Sequence, residues 1–209
     1  MTPLVKVCGL TTLDDALYCA RAGAGALGFI FYKDSLRYIS PDAAADIISK
    51  LPEYVTPVGV FVNESRTNIE NIIGQTHIRL IQLCGDESPA DCLGYNVKVW
   101  KAFRIRDQEE VARTKEYTIS AAMLDGAGQG QYGGSGHLPD FSIACEMKEY
   151  HPVVLAGGLS PDTVLQAIGA VYPYAIDINS GVETEPGKKD HAKVKLLFER
   201  VSNFSRSQE

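Results

Sequence analysis

The chain has 209 residues, 45% hydrophobic and 22% charged, with a formal net charge of −6 at pH 7, values that suit one soluble globular domain over 1–209. Its basic residues are scattered, which excludes a nucleic-acid footprint, and no apolar stretch approaches a membrane span. The start lacks the layout of a secretory leader, and the five cysteines are odd in number without CxxC spacing, so a reducing cytoplasm is expected rather than a disulfide framework or structural zinc.

The first strand-like run covers 4–8, and Thr12 then caps a helix that begins at Leu13 and stops near Gly23. A second strand is expected over 26–31, followed by Ser40-Pro41-Asp42, which opens a helix over 43–50 with proline in its first turn. A third strand, 56–61, leads through Glu64-Ser65 to a helix over 66–74, with Gly74 as its cap. Strands over 78–83 and 97–102 flank a weak helix at 90–94. The sixth strand, 121–124, precedes a helix signalled by Pro139-Asp140. The seventh, 152–156, is followed by Ser160-Pro161-Asp162 opening a helix over 163–170, and the eighth covers 175–178. From about 202 the chain is polar, and a frayed tail is expected.

Most of these strands are near-continuous apolar runs, as parallel strands covered on both faces should be. Eight strand–helix alternations in so short a chain predict an α/β fold, a single-domain (β/α)8 TIM barrel. A flavodoxin-like open sheet would need only about five strands.

In such a barrel, function gathers at the C-terminal ends of the strands. The glycine-rich stretches Leu155-Ala156-Gly157-Gly158-Leu159 and Asn179-Ser180-Gly181-Val182-Glu183 follow the last two strands, where bare main chain can meet a phosphate. Cys8 ends the first strand beside Gly9, and strand alternation puts Lys6 on the same side as Cys8. A cysteine serving as base requires a lowered pKa, which nearby positive charge would supply. Asp125 ends the sixth strand, where partial burial would suit a proton donor. A long glycine-rich loop, 126–136, follows it as a mobile cover. Within that loop, 128–133 matches the dinucleotide pattern GxGxxG, but no helix opens on its last glycine, so a nicotinamide site is not indicated.

Arg37, in the loop after the second strand, has the planar fork that binds carboxylates. Cys84 and Asp86 are placed to line the mouth, although Asp86-Glu87-Ser88-Pro89 reads more simply as acidic residues starting a helix. Asp177, on the last strand, suits a ligand hydroxyl or the bracing of a loop. Cys19, Cys92 and Cys145 lie in helical patterns and read as buried small hydrophobes. The four histidines are dispersed, so a histidine-based metal site is not expected.

Taken in order, Lys6-Val7-Cys8-Gly9-Leu10, Ser35-Leu36-Arg37-Tyr38, Gln82-Leu83-Cys84-Gly85-Asp86-Glu87, Leu124-Asp125 with Gly133-Gly134-Ser135-Gly136, and the two glycine-rich stretches closely resemble the phosphoribosylanthranilate isomerase family, from Lys6 to about Val201. The resemblance implies a single-domain (β/α)8 enzyme of tryptophan biosynthesis that performs an Amadori rearrangement on N-(5-phosphoribosyl)anthranilate. It implies that Asp125 is the general acid and Cys8, as thiolate, the general base. It further implies that Arg37 contacts the anthranilate carboxylate, and that Gly157, Gly158, Ser180 and Gly181 hold the phosphate. Neither metal nor organic cofactor is implied, nor a nucleic-acid or membrane partner, and a monomer is expected rather than a homodimer. The chain departs from the family at Cys84, where histidine is usual, at Leu36 for proline, at Asn179 for serine, and at Pro139-Asp140-Phe141 for Phe-Asp-Trp. Two alternatives are a two-substrate phosphosugar isomerase also active in histidine synthesis, and a non-catalytic binder of a phosphorylated metabolite.

Overall fold

Apolar runs separated by capped helices fold, in the computed structural model, into a closed barrel whose eight parallel strands follow one another in sequence order. The structure describes residues 2–105, 107–126 and 138–206. The strands are β1 Leu4–Val7, β2 Ala26–Ile30, β3 Thr56–Phe61, β4 Leu80–Leu83, β5 Lys98–Phe103, β6 Ala121–Asp125, β7 Val153–Ala156 and β8 Ala175–Ile178. Outside them lie α1 Leu13–Ala22, α2 Pro41–Ile48, α3 Arg66–Thr76, α4 Gln108–Arg113, α5 Phe141–Met147, α6 Val164–Val171 and α7 His191–Arg206. The barrel closes where β1 pairs with β8, Leu4 beside Ala175 and Lys6 beside Asp177.

Alternation along each strand divides the interior in two. Side chains such as Val7, Leu27, Phe29, Ile81, Leu83 and Leu155 face the helices and are essentially buried. Each contributes about 1.5–3 kcal/mol relative to an exposed position. Ala26, Val58, Leu80, Trp100, Met123, Val154 and Ala175 face inward and fill the lower barrel. Above them the lining turns polar, with Lys6, Gln82 and Asp177 buried there.

The caps at Thr12, Ser40, Ser65 and Asp140 form as expected, each side chain accepting from a main-chain N–H of its helix. Gly23 closes α1 in the left-handed region. Several boundaries differ. Helix α3 continues past Gly74 to Thr76 because Ile72 and Thr76 still face the core, and His77 is its left-handed cap. Helix α6 begins only at Val164. Ser160 accepts from the Asp162 N–H in a preceding turn, and Thr163 Oγ1 donates back to the Gly158 carbonyl at 3.0 Å. The fourth crossover is a 3-10 turn, Ala90–Cys92. The expected frayed tail is helical to Arg206, with Phe204 packed on the core and against the Tyr172 ring.

Candidate active site

A cleft opens at the C-terminal end of the barrel, lined by Cys8 just after β1, Cys84 after β4, Asp125 at the end of β6, Gly157 and Gly158 after β7, and Asp177, Asn179 and Ser180 from β8 and its loop. Arg37 from the β2 loop completes its rim. Residues from the ends of six strands or the loops after them, far apart in sequence, thus meet at one mouth.

Cys8 and Lys6 do share a side. A Cβ built at Gly28 would fall 2.6 Å from the Cys8 sulfur and 3.0 Å from Lys6 Nζ, so both groups occupy the space that this side-chain-free position of β2 leaves open. Lys6 is fully buried, and its Nζ donates to Asp177 Oδ2 at 2.8 Å. Burial alone would lower the Lys6 pKa, but Asp177 and the neighbouring thiol outweigh it and hold the ammonium above its ordinary range. For Cys8 the balance runs the other way. Burial pushes the thiol up, and the Lys6 charge pulls it back only in part. The lowered pKa expected of a cysteine base is therefore not what the barrel provides: removing water costs the thiolate more than one buried ammonium, already shared with Asp177, returns.

Asp125 is the last residue of β6 rather than the first of its loop, paired in register with Ala156 at the end of β7. It is half-buried. The loop expected to cover the site, with its GxGxxG pattern, lies outside the described residues from Ala127 to His137.

The glycine-rich stretches after β7 and β8 present main chain to the cleft, in keeping with their composition. Gly157 and Gly158 adopt consecutive left-handed conformations, φ 84° and 58°, which a non-glycine residue adopts only under strain. After β8, Ser180–Val182 forms a single 3-10 turn. Ser180 lines the cleft, whereas Gly181 stands behind it. A Cβ at 181 would lie 2.0 Å from the Leu159 carbonyl oxygen, so Gly181 lets the two loops touch backbone to backbone.

Cys84 lines the cleft opposite, where burial pushes its thiol up to about 12. Gln82 Nε2 lies 3.2 Å from its sulfur. Among the described residues, Gln82 Oε1 and Asp177 Oδ1 are buried acceptors that meet no donor, and both residues line the cleft. A buried acceptor without a donor is costly, and a ligand hydroxyl would relieve it.

The structure corrects the reading of Glu87. Instead of starting a helix, it is buried, accepts from the Asn63 and Gly85 N–H groups, and pairs with Lys101 Nζ at 3.1 Å, bracing the β4 loop. Asp86 is exposed and faces Arg104, which also lines the cleft. Sequence reasoning missed Glu183 altogether. It receives Arg37 Nε at 3.0 Å and Nη2 at 2.7 Å. Burial alone would raise its pKa, but Arg37 and Lys189 together hold it below the usual carboxylate range. Away from the cleft, Asp14, Asp15 and His191 cluster within 4.8 Å. His191 Nε2 meets Asp15 Oδ1 at 2.8 Å and the ring stacks on Tyr18, which accounts for the group as a link between α1 and α7.

Fold and site together define an enzyme of the phosphosugar-binding (β/α)8-barrel class. The family described as N-(5'phosphoribosyl)anthranilate (PRA) isomerase matches residues 5–200, and the chain belongs to that family. Among curated proteins, the N-(5'-phosphoribosyl)anthranilate isomerase of Citrifermentans bemidjiense is 47% identical over 96% of this chain and 98% of its own. That of Geobacter metallireducens is 44% identical over 94% and 98%. Among solved structures, the Thermotoga maritima phosphoribosyl anthranilate isomerase superposes with a TM-score of 0.88 at 36% identity, covering 97% of this chain and 100% of its own. A further phosphoribosyl anthranilate isomerase, in complex with reduced 1-(o-carboxyphenylamino)-1-deoxyribulose 5-phosphate, is 35% identical with a TM-score of 0.84, covering 97% and 100%.

Proposed function

We propose that Cys8 and Asp125 are the base and acid of an Amadori rearrangement in this chain. The family's reaction, isomerisation of N-(5-phosphoribosyl)anthranilate in tryptophan biosynthesis, converts an aminoaldose phosphate to 1-(2-carboxyphenylamino)-1-deoxyribulose 5-phosphate. The observation that carries the assignment is the shared cleft, in which a thiol just after β1 and a carboxyl group from β6 face a main-chain cradle built by the loops after β7 and β8.

Asp125, protonated, gives its proton to the ring oxygen as the C1–O bond breaks, leaving a protonated Schiff base and an Asp125 carboxylate. Cys8, as thiolate, takes the proton from C2, and the C–H electron pair flows to the iminium as an enolamine, which tautomerises to the ketone. Burial disfavours the Cys8 thiolate, and the Lys6 ammonium, with a smaller contribution from Lys189, works against that cost. Arg37 takes the anthranilate carboxylate, Gly157, Gly158 and Ser180 hold the phosphate with Gly181 setting their spacing, and the unmet Asp177 Oδ1 accepts from a sugar hydroxyl. Each step is proton transfer between protein side chains and ligand, for which no metal or organic cofactor is needed.

A cytoplasmic monomer is the proposed state. All five cysteines are free thiols, which suits a reducing compartment, and among the described residues no helix is long and apolar enough to cross a membrane. Exposed large apolar side chains, Leu36 with Tyr38, Tyr54, Leu93, Tyr172 with Tyr174, and Leu196, are spread over five segments of the chain. One solved relative consists of monomers generated from the dimeric enzyme of Thermotoga maritima, so both states occur among relatives and sedimentation of the purified protein decides this point.

The chemical test is turnover of N-(5-phosphoribosyl)anthranilate by Cys8→Ala and, separately, Asp125→Asn. Each is expected to lose roughly two to four powers of ten in kcat while retaining affinity for the reduced product analogue. Near-wild-type turnover by Cys8→Ala would remove the thiol from the mechanism.

A further inference from the structure

Arg37 is assigned above to a ligand carboxylate, yet it already meets a carboxylate of its own chain. Nε lies 3.0 Å from both Glu183 oxygens, and Nη2 lies 2.7 Å from Oε2. A guanidinium carries five N–H donors in one plane. The Glu183 contact is side-on, along the edge formed by Nε and Nη2, and among the described residues no hydrogen bond is made by Nη1. The end-on edge, Nη1 with the second Nη2 proton, is left for a further carboxylate.

Glu183 is itself fixed from several sides. Lys189 Nζ reaches Oε1 at 2.7 Å and Asn179 Oδ1 at 3.1 Å, while the Gly187 N–H reaches Oε1 at 3.2 Å. Its main-chain carbonyl accepts from Lys193 Nζ at 2.8 Å. The Glu183 side chain is 4% exposed and that of Lys189 is fully buried, whereas Arg37 keeps 19% at the cleft rim. Two cations around one anion leave one net positive charge, carried by the member that faces the cleft. The long Arg37 side chain is thereby ordered before any ligand arrives, so binding does not have to order it.

We infer that Glu183 is a positioning residue, holding Arg37 side-on so that its end-on edge selects ligands bearing a ring carboxylate. This presupposes the assignment of Arg37 proposed above, and the two are separable by experiment. Calorimetry would compare reduced 1-(o-carboxyphenylamino)-1-deoxyribulose 5-phosphate with its counterpart lacking the ring carboxylate, in wild type, Glu183→Gln, Arg37→Met and the double variant. The readout is the ratio of the two affinities, which a general loss of stability leaves unchanged.

Glu183→Gln is expected to lower that ratio by about tenfold or more. Arg37→Met should lower it at least as far, and the double variant no further than Arg37→Met alone. If Glu183→Gln keeps the wild-type ratio while Arg37→Met loses it, the positioning role is overturned and the Arg37 assignment stands. If Arg37→Met keeps it, the Arg37 assignment fails and the role of Glu183 goes with it. Should Glu183→Gln not fold, Glu183→Asp, which keeps the charge but draws it back by one methylene, serves instead, and an unchanged ratio overturns the inference equally.

Discussion

Gly181→Ala tests the proposed phosphate cradle without touching a group assigned to proton exchange. The added Cβ would lie 2.0 Å from the Leu159 carbonyl oxygen, 2.9 Å from its carbon and 3.0 Å from Ser160 Cα, whereas ordinary contact begins at 3.4 Å. All three are backbone atoms, so no rotamer relieves the clash, and the loops after β7 and β8 must part by about 1 Å or more in a close-packed surrounding. Overpacking of this kind costs about 1–3 kcal/mol, which in a chain of this length lowers Tm by roughly 2–12 °C. The larger effect falls on the ligand. Each charge-assisted hydrogen bond stretched out of range removes about 1.5–3 kcal/mol of binding, or about ten- to hundredfold in Kd. Calorimetric titration with the reduced product analogue and with its dephosphorylated form separates the two effects, since only the phosphorylated ligand should weaken by that factor. Binding of the phosphorylated analogue within twofold of wild type would refute the claim that the contact between these loops sets the cradle.

Two further outcomes follow from the interior. Gly28→Ala places a methyl group 2.6 Å from the Cys8 sulfur and 3.0 Å from Lys6 Nζ, which Asp177 already holds. The sulfur must move, and steady-state kinetics should show kcat lowered by about ten- to hundredfold with KM little changed, while unchanged kcat would detach the thiol's position from the chemistry. On the alkaline side, burial raises the thiols of Cys8, of Cys19 (to about 12) and of Cys92 (to about 11). The unfolded chain gives up these protons near pH 9.0 while the folded chain keeps them. Stability is therefore full below that pH and falls as pH rises toward the folded values, by up to about 1.4 kcal/mol per pH unit per thiol. The urea midpoint should drop between about pH 8 and 10.5, and a flat midpoint would contradict the buried thiols.

The barrel was legible because parallel strands buried on both faces leave apolar runs that stop at glycine, proline and capping residues. Helix starts at Thr12, Ser40, Ser65 and Asp140 were legible for the same local reason: a side-chain oxygen satisfies a free N–H. Gly74 misled because a glycine can sit inside a helix when buried residues flank it, Ile72 before it and Thr76 beyond it. At the site, Cys8 and Asp125 stand at strand ends, and Lys6 is in phase with Cys8, so chain position alone brought them forward. The partners of these groups were hidden. Nothing in the order of residues joins Arg37 to Glu183 across 146 positions, and Asp86-Glu87-Ser88-Pro89 has the local appearance of a helix start until Lys101 is found beneath it. The Cys8 thiol was misjudged for a related reason: adjacency of a cation can be read from spacing, but the water removed when eight strands close cannot.

The bond between Lys6 and Asp177 spans the seam where the first strand meets the last, 171 positions apart. Lys6 and Cys8 lie two residues apart, yet the carboxylate that pins the Lys6 ammonium beside the thiol arrives only when β8 docks and shuts the ring. A truncated or open-ring chain would thus hold the cysteine in a different electrostatic setting from the finished enzyme. Closure of the fold and assembly of the thiol's environment are, at this seam, a single event.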